Sequence, residues 1–223
     1  MSTNVTLHEI TGSSNSVKVR IALSYKGLEY NREAVKLDSF PGDRSSIVGM
    51  SRQPRLPVLQ HGETVVFDSS AILRYLEGNF PDTPPIFSDD HATLGEIERW
   101  EIFARSQISE PLVMMFGELF APEPDADVVA RANEMLNERT ATIEDRLGHG
   151  DYLVDDRLTA ADIACAAPLY LADLPAEAAT EDNPMDTFFH KNLTLGEGRP
   201  QTTEWVRRVM AYDPVKGQRL AVA

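Results

Sequence analysis

Apolar and polar residues alternate over residues 5–10 (VTLHEI), the period of a half-buried strand, before Gly12, Ser13, Ser14, Asn15 and Ser16 interrupt it. From Val17 to Lys26 the spacing turns helical, with Val17, Ile21 and Leu28 in phase and Gly27 near the expected C-terminal cap. Residues 28–37 read as a second strand, and Pro41, Gly42 and Asp43 as a loop. Residues 57–60 and 64–67 form a hairpin across His61, Gly62 and Glu63. Asp68, Ser69 and Ser70 then cap a helix carrying Ile72, Tyr75, Leu76 and Phe80 along one side, and Pro81, Pro84 and Pro85 end it. The order is β-α-β followed by ββα.

Beyond Pro85 the pattern is helical throughout. One helix is expected over residues 90–120, with Leu94, Ile97, Ala104 and Ile108 inward and a kink at Pro111. A second covers 125–147, burying Val128, Ala132, Met135, Leu136, Ile143 and Leu147. Thr159 and Asp162 have the spacing of a capping box, with Leu158 and Ile163 placed for the accompanying staple. Residues 174–199 are polar and broken by Pro and Gly, and are expected to run over the surface. A last helix over 202–212 carries Trp205 and Val209.

Charge sharpens this division. Residues 1–88 hold 9 basic and 9 acidic side chains, whereas residues 89–223 hold 12 and 26, so the whole net charge of −14 sits in the second part. A step of that size marks a domain boundary. It also repels phosphate backbones and anionic lipids, so neither nucleic acid nor a membrane surface is an expected partner. No run approaches the ~20 apolar residues of a membrane helix, and the first residues lack the basic and apolar regions of a signal peptide. A single cysteine, Cys165, allows no intrachain disulfide, which fits a reducing, cytoplasmic setting.

Most routes to chemistry are closed. The five histidines are scattered without metal-ligand spacing, so no metal site is expected. Glycine-rich phosphate loops and a nucleophile elbow are missing. Cys165 lies in a mostly apolar helix and reads as packing. What remains is a cluster of hydroxyls, Ser13, Ser14 and Ser16, at the mouth of the first helix. Free backbone N–H groups and the helix dipole meet there, a combination that favours an anion such as a thiolate. Leu56-Pro57 before a strand and Asp68-Ser69 at a helix start are the other two candidates.

Together these pieces resemble the glutathione transferase family over essentially the full length. The resemblance is carried by SSNSVKVRIALSYKGLEY at 13–30, LPVL at 56–59, FDSSAILRYLE at 67–77 and YLVDDRLTAAD at 152–162. It implies an α/β thioredoxin-like N-terminal domain (βαβ–ββα, a mixed four-stranded sheet) followed by an all-α domain. Residues 1–82 would bind glutathione as co-substrate, 83–89 would be a linker, and 90–223 would complete the pocket for an electrophilic acceptor. By position, Pro57 would be cis, the Leu56 backbone would pair with the cysteinyl part of glutathione, and Asp68 and Ser69 would hold its γ-glutamyl end. Arg55 would lie near the ligand. The catalytic hydroxyl falls on Ser13 by the spacing of the zeta and tau classes, or on Ser14 by that of the theta class. Phe103, Arg105 and Met114 are the acceptor-pocket candidates, and a homodimer is implied.

Three departures from the family pattern stand out: Asp155 where Gly is usual, Ser51-Arg-Gln-Pro-Arg55 before the expected cis proline, and the length of 174–199. The SSxS start is closest to the zeta class, so glutathione-dependent isomerisation or dehalogenation stands beside conjugation. A non-catalytic binding or scaffold module is the third reading.

Overall fold

The computed structural model describes residues 4–35 and 43–216. They divide into two compact units, residues 1–86 with 212–215, and 87–211 with 216 onward. In the first, strand β1 (Val5–Glu9) leads into helix α1 (Ser14–Tyr25) and strand β2 (Asn31–Ala34); a short helix α2 (Ser45–Ser51) precedes the β3 (Val58–His61) and β4 (Thr64–Phe67) hairpin and helix α3 (Ser69–Asn79). The sheet order is β2-β1-β3-β4, with β1 parallel to β2 and antiparallel to β3. This is the thioredoxin-like arrangement.

Alternation along β1 buries Val5, Leu7 and Glu9, and the core adds Val17, Ile21 and Leu23 from α1, Leu59 from β3, and Ile72 and Leu76 from α3. Helix α1 starts three residues before the apolar period does, because serine and asparagine are favourable in a first turn. It stops at Gly27, whose φ of +65° suits glycine. There the Leu28 N–H reaches the Leu23 carbonyl and the Gly27 N–H the Ser24 carbonyl, both at 2.9 Å, which is a Schellman closure. The expected second strand is shorter than its pattern; Leu37, Pro41 and Gly42 lie outside the described residues. Helix α2 is an addition: its serines and Gly49 mask a segment anchored chiefly by buried Ile47.

The second unit contains helices α4 (His91–Phe103), α5 (Ser109–Glu118), α6 (Ala126–Leu147), α7 (Ala160–Leu169), α8 (Pro184–Asn192) and α9 (Pro200–Met210), with no strand among the described residues. Two expectations need correction. The long helix over 90–120 is interrupted not by a kink at Pro111 but by a π turn at Ala104–Ile108 just ahead of it. Proline has no N–H and its ring crowds the carbonyl four residues back. That carbonyl belongs to Gln107, and the π turn leaves it to accept from Arg139 Nη1 at 2.5 Å.

Residues 174–199 are the second correction. They contain α8, and Phe189, Asp186, Leu193 and Leu195 are buried. A polar row on α6 fastens the chain beyond α8: Asn133 donates to the Asn192 carbonyl and accepts from the Thr194 N–H, while Arg199 donates to the Asn137 carbonyl and Thr140 Oγ1. Gly196 lies so close that a Cβ there would fall 2.8 Å from Asn137 Oδ1.

Glu144, one further step along α6, caps α9. It accepts from Gln201 N, Thr202 N and Thr202 Oγ1 at 3.0, 2.8 and 2.7 Å. Burial opposes its charge, but the Thr202 and Gln201 donors and nearby Arg199 outweigh that and hold its carboxyl below the ordinary 4.5. A depressed folded-state pKa contributes stability above the unfolded value and loses it as pH falls through the folded one. Glu144→Gln should therefore cost about 1–2 kcal/mol at pH 7. The gap in melting temperature to wild type should narrow below about pH 4.5; a gap that is constant with pH would contradict this cap.

Candidate functional site

The strand register gathers the three candidate segments at one end of the sheet. His8 lies opposite Val58, and Val58 opposite Phe67. The chain leaving β1 toward Ser13, the Leu56-Pro57 entry to β3 and the β4-to-α3 turn at Asp68-Ser69 therefore share that end. A hydrogen bond from Ser69 Oγ to Asn15 Oδ1 (3.4 Å) joins the starts of α3 and α1 across 54 residues.

Ser13 is the N-cap of α1, half-buried, with extended backbone (φ −71°, ψ 125°), yet its side chain makes no capping hydrogen bond. Its N–H is instead fixed on the Ile10 carbonyl at 3.0 Å, and buried Ser16 accepts from Ile10 N at 3.3 Å. The hydroxyl at the positive end of the helix is thus not spent on the cap. Ser14 is the first helical residue and is half-buried.

The turn before Ser13 is held from beneath by a buried ionic group. Arg20, Glu9 and Asp213 are all fully buried. Arg20 makes a two-pronged bond to Asp213 (2.7 and 2.8 Å), pairs with Glu9, and donates to the Thr11 carbonyl at 3.2 Å. Arg32 pairs with the other Glu9 oxygen and reaches Thr11 Oγ1 at 2.6 Å. Two cations face two anions, which offsets the desolvation cost of burying them. Burial alone would lower the Arg20 pKa, but Asp213 and Glu9 together raise it, so the guanidinium stays charged. Burial also pushes the Tyr30 phenol up to about 12, keeping it protonated at neutral pH. Sequence reasoning missed this group; the signal was one arginine inside an otherwise apolar helix face.

The Leu56–Pro57 bond is cis. Pro57 is buried, Leu56 half-buried and Arg55 exposed. The backbone N–H and C=O of Leu56 make no hydrogen bond with any described residue. Such a pair at a strand entry is a template for an extended peptide. Asp68 has φ +70°, a region that costs a non-glycine residue about 1–3 kcal/mol. Its Oδ1 caps α3 through Ser70 N (3.0 Å) and Ala71 N (3.1 Å), and Ser69 beside it is buried.

Of the expected acceptor residues, Phe103 ends α4 half-buried and edge-on to Trp100 (ring centroids 5.4 Å apart), Arg105 is exposed in the π turn, and Met114 is half-buried on α5. A cavity of about 710 Å³ in the helical unit is lined by His91, Trp100, Arg146 and Leu153 among others, and by none of those three. Cys165 is fully buried, its thiol against the Trp100 carbonyl. Asp155 has φ +62°, which accounts for glycine being usual there. Among the described residues no cluster of His, Cys, Asp and Glu is placed to hold a metal ion, and no helix is long and apolar enough to cross a membrane.

Residues 7–84 match the family model "Glutathione S-transferase, N-terminal domain", and residues 102–213 match "Glutathione S-transferase, C-terminal domain". The chain is 31% identical over 205 residues to a zeta-class glutathione S-transferase of Euphorbia esula, covering 89% of this chain and 87% of that one.

The chain belongs to the glutathione S-transferase family.

Glutathione S-transferase 1 of Dianthus caryophyllus is 40% identical to this family member over 85 residues, 37% of this chain and 38% of that one. Among solved structures, a theta-class glutathione S-transferase of Xanthomonas axonopodis pv. citri with glutathione bound superposes with a TM-score of 0.75. It shares 21% identity and is covered to 98%, against 99% of this chain, so that likeness is one of fold.

Proposed function

We propose that this glutathione S-transferase family member is a serine-type glutathione transferase. In this reading residues 1–82 bind glutathione, 83–89 connect, and 90–223 bind the acceptor. Ser13 Oγ donates a hydrogen bond to the glutathione sulfur and stabilises the thiolate, its proton lost to solvent; the thiolate forms a bond to an electrophilic carbon of an apolar acceptor as the leaving group departs from that carbon with its bonding electron pair. The Leu56 backbone pairs with the cysteinyl residue, Asp68 takes the ammonium and Ser69 the α-carboxylate of the γ-glutamyl end, and Arg55 flanks the ligand. Phe103, Arg105 and Met114 contact the acceptor, and the enzyme works as a cytoplasmic homodimer.

One observation carries this reading: a hydroxyl at the start of α1, not engaged in capping, shares the sheet end with Ser69 and with a Leu56 backbone that pairs with no described residue. The test is thiolate absorbance of bound glutathione across pH. The bound thiol should ionise at least about one unit below an ordinary thiol of ~8.5. Binding without any shift would favour a non-catalytic carrier or scaffold, and no binding would end the reading. Sedimentation should give twice the 24.8 kDa chain mass, and a single-chain mass at working concentration would remove the homodimer.

A zeta-type isomerase or dehalogenase is the second reading, supported by the zeta-class relative. Turnover without loss of glutathione thiol would select this isomerase or dehalogenase reading, in which glutathione is regenerated rather than consumed, over conjugation.

A further inference from the structure

The loop that enters β3 is braced by one side chain. Gln53 Oε1 accepts from the Arg55 N–H at 2.6 Å, and Gln53 Nε2 donates to the Arg55 carbonyl and to Ser51 Oγ, both at 3.0 Å. The amide thus closes on the backbone two residues ahead in the way a neighbouring strand would, using its acceptor and both its donors. Ser51 Oγ also lies 2.9 Å from the Gln53 carbonyl, and Arg44 Nη1 donates to the Pro54 carbonyl at 2.7 Å. The Pro54 and Arg55 carbonyls and the Arg55 N–H are therefore held by side chains, while the one Ser51 proton is shared between the Gln53 carbonyl and the Ile47 carbonyl at 2.8 Å. The next residue, Leu56, is the first whose two backbone groups both lack a partner among the described residues.

We infer that Gln53 is a positioning residue: by holding both backbone groups of Arg55 it fixes the direction of the Leu56 N–H and C=O and presents them, preorganised, to an extended thiol peptide. This rests on the glutathione-binding reading above. Gln53 itself touches no reacting atom. With a flexible edge the ligand would have to order the loop as it binds, and affinity would fall without any change at the sulfur. The same polar grouping accounts for Ser51-Arg-Gln-Pro-Arg55 in place of the glycine or asparagine usual before this proline: the loop is stiffened by a side chain instead of being shaped by a small residue.

The experiment measures affinity for glutathione and for S-methylglutathione, and the bound-thiol pKa, on wild type, Gln53→Ala and Gln53→Glu, with hydrogen exchange of the Arg55 amide and thermal melting alongside. Gln53→Ala should weaken both ligands about tenfold or more, the loss expected when several hydrogen bonds no longer preorder a binding edge. The KM for glutathione should rise while kcat and the bound-thiol pKa stay at wild-type values, and Arg55 amide protection should disappear with little change in melting. Gln53→Glu keeps the acceptor for Arg55 N and loses both donors, so it should fall between the two. Unchanged affinity in Gln53→Ala with Arg55 deprotected overturns the inference, as does an Arg55 amide that stays protected. If wild type binds neither ligand, the glutathione reading fails and the inference with it, whatever the exchange data show.

Discussion

Ser13→Ala should return the bound glutathione thiol most of the way to the ionisation of an ordinary thiol and lower kcat/KM about tenfold, with Ser14→Ala closer to wild type. Moving a thiol pKa from ~8.5 to ~7 requires about 2 kcal/mol, since each unit is worth ~1.36. A hydrogen bond to a charged acceptor supplies about 1.5–3 kcal/mol and a helix N-terminus about 0.3–1. The hydroxyl is then the larger share, and its removal leaves about a tenth or less of the thiol as thiolate at pH 7. The substitution also reads cleanly. An N-cap serine normally costs about 1 kcal/mol to truncate, but the Ser13 side chain makes no cap bond, so melting should barely move. A large fall in stability with an unshifted thiol would reverse the assignment and make Ser13 structural.

Asp162→Ala should be the most destabilising single change in the helical unit. The carboxylate is fully buried and accepts from Leu153 N, Thr159 N and Thr159 Oγ1, all at 2.9 Å, and from Trp205 Nε1 at 3.0 Å. It completes the α7 capping box while fastening the 153 loop and α9. Burial pushes its pKa up against these four donors. Truncation leaves four buried donors without an acceptor at about 1–3 kcal/mol each, so the total should reach about 4 kcal/mol or more. At about 2–4 °C per kcal/mol for a chain of this size, melting should drop by about 10 °C or more. Asp162→Asn keeps one oxygen but turns an amide N–H₂ toward donors, and should fall between. A drop under about 3 °C would show that water or a local shift replaces the carboxylate.

Legibility in the sequence tracks the range over which each signal acts. The β3–β4 hairpin, α6 with its buried stripe from Ala132 to Leu147, and the Thr159–Asp162 box are local patterns, and each lies within a residue or so of its expected place. Helix α2 is short and rich in serine, so no period distinguished it. Helix α8 was hidden because it is short and buries only Phe189 and Asp186, and the packing of the chain after it because its anchoring is polar: the row of Asn133, Asn137, Thr140 and Glu144 on α6 looks like a solvated face until the 192–202 segment is laid on it. At the site, the positions of Ser13, Leu56, Asp68 and Ser69 were legible because each sits at an element start that strand register then gathers. The Gln53 brace and the Arg20 group were not. The first depends on one rotamer, and the second pairs residues 193 apart in the chain.

That last separation orders events during synthesis. Asp213 folds with the first unit, yet it is translated only after every helix of the second among the described residues. While a nascent chain emerges, Arg20 has Glu9 and the Thr11 carbonyl but not its two-pronged partner, and the turn that orients Ser13 is correspondingly incomplete. The hydroxyl thus acquires its final setting only after the helices of the second unit have been synthesised. A fragment ending at residue 211 should be missing an essential buried counter-charge, although it contains every residue proposed to touch glutathione.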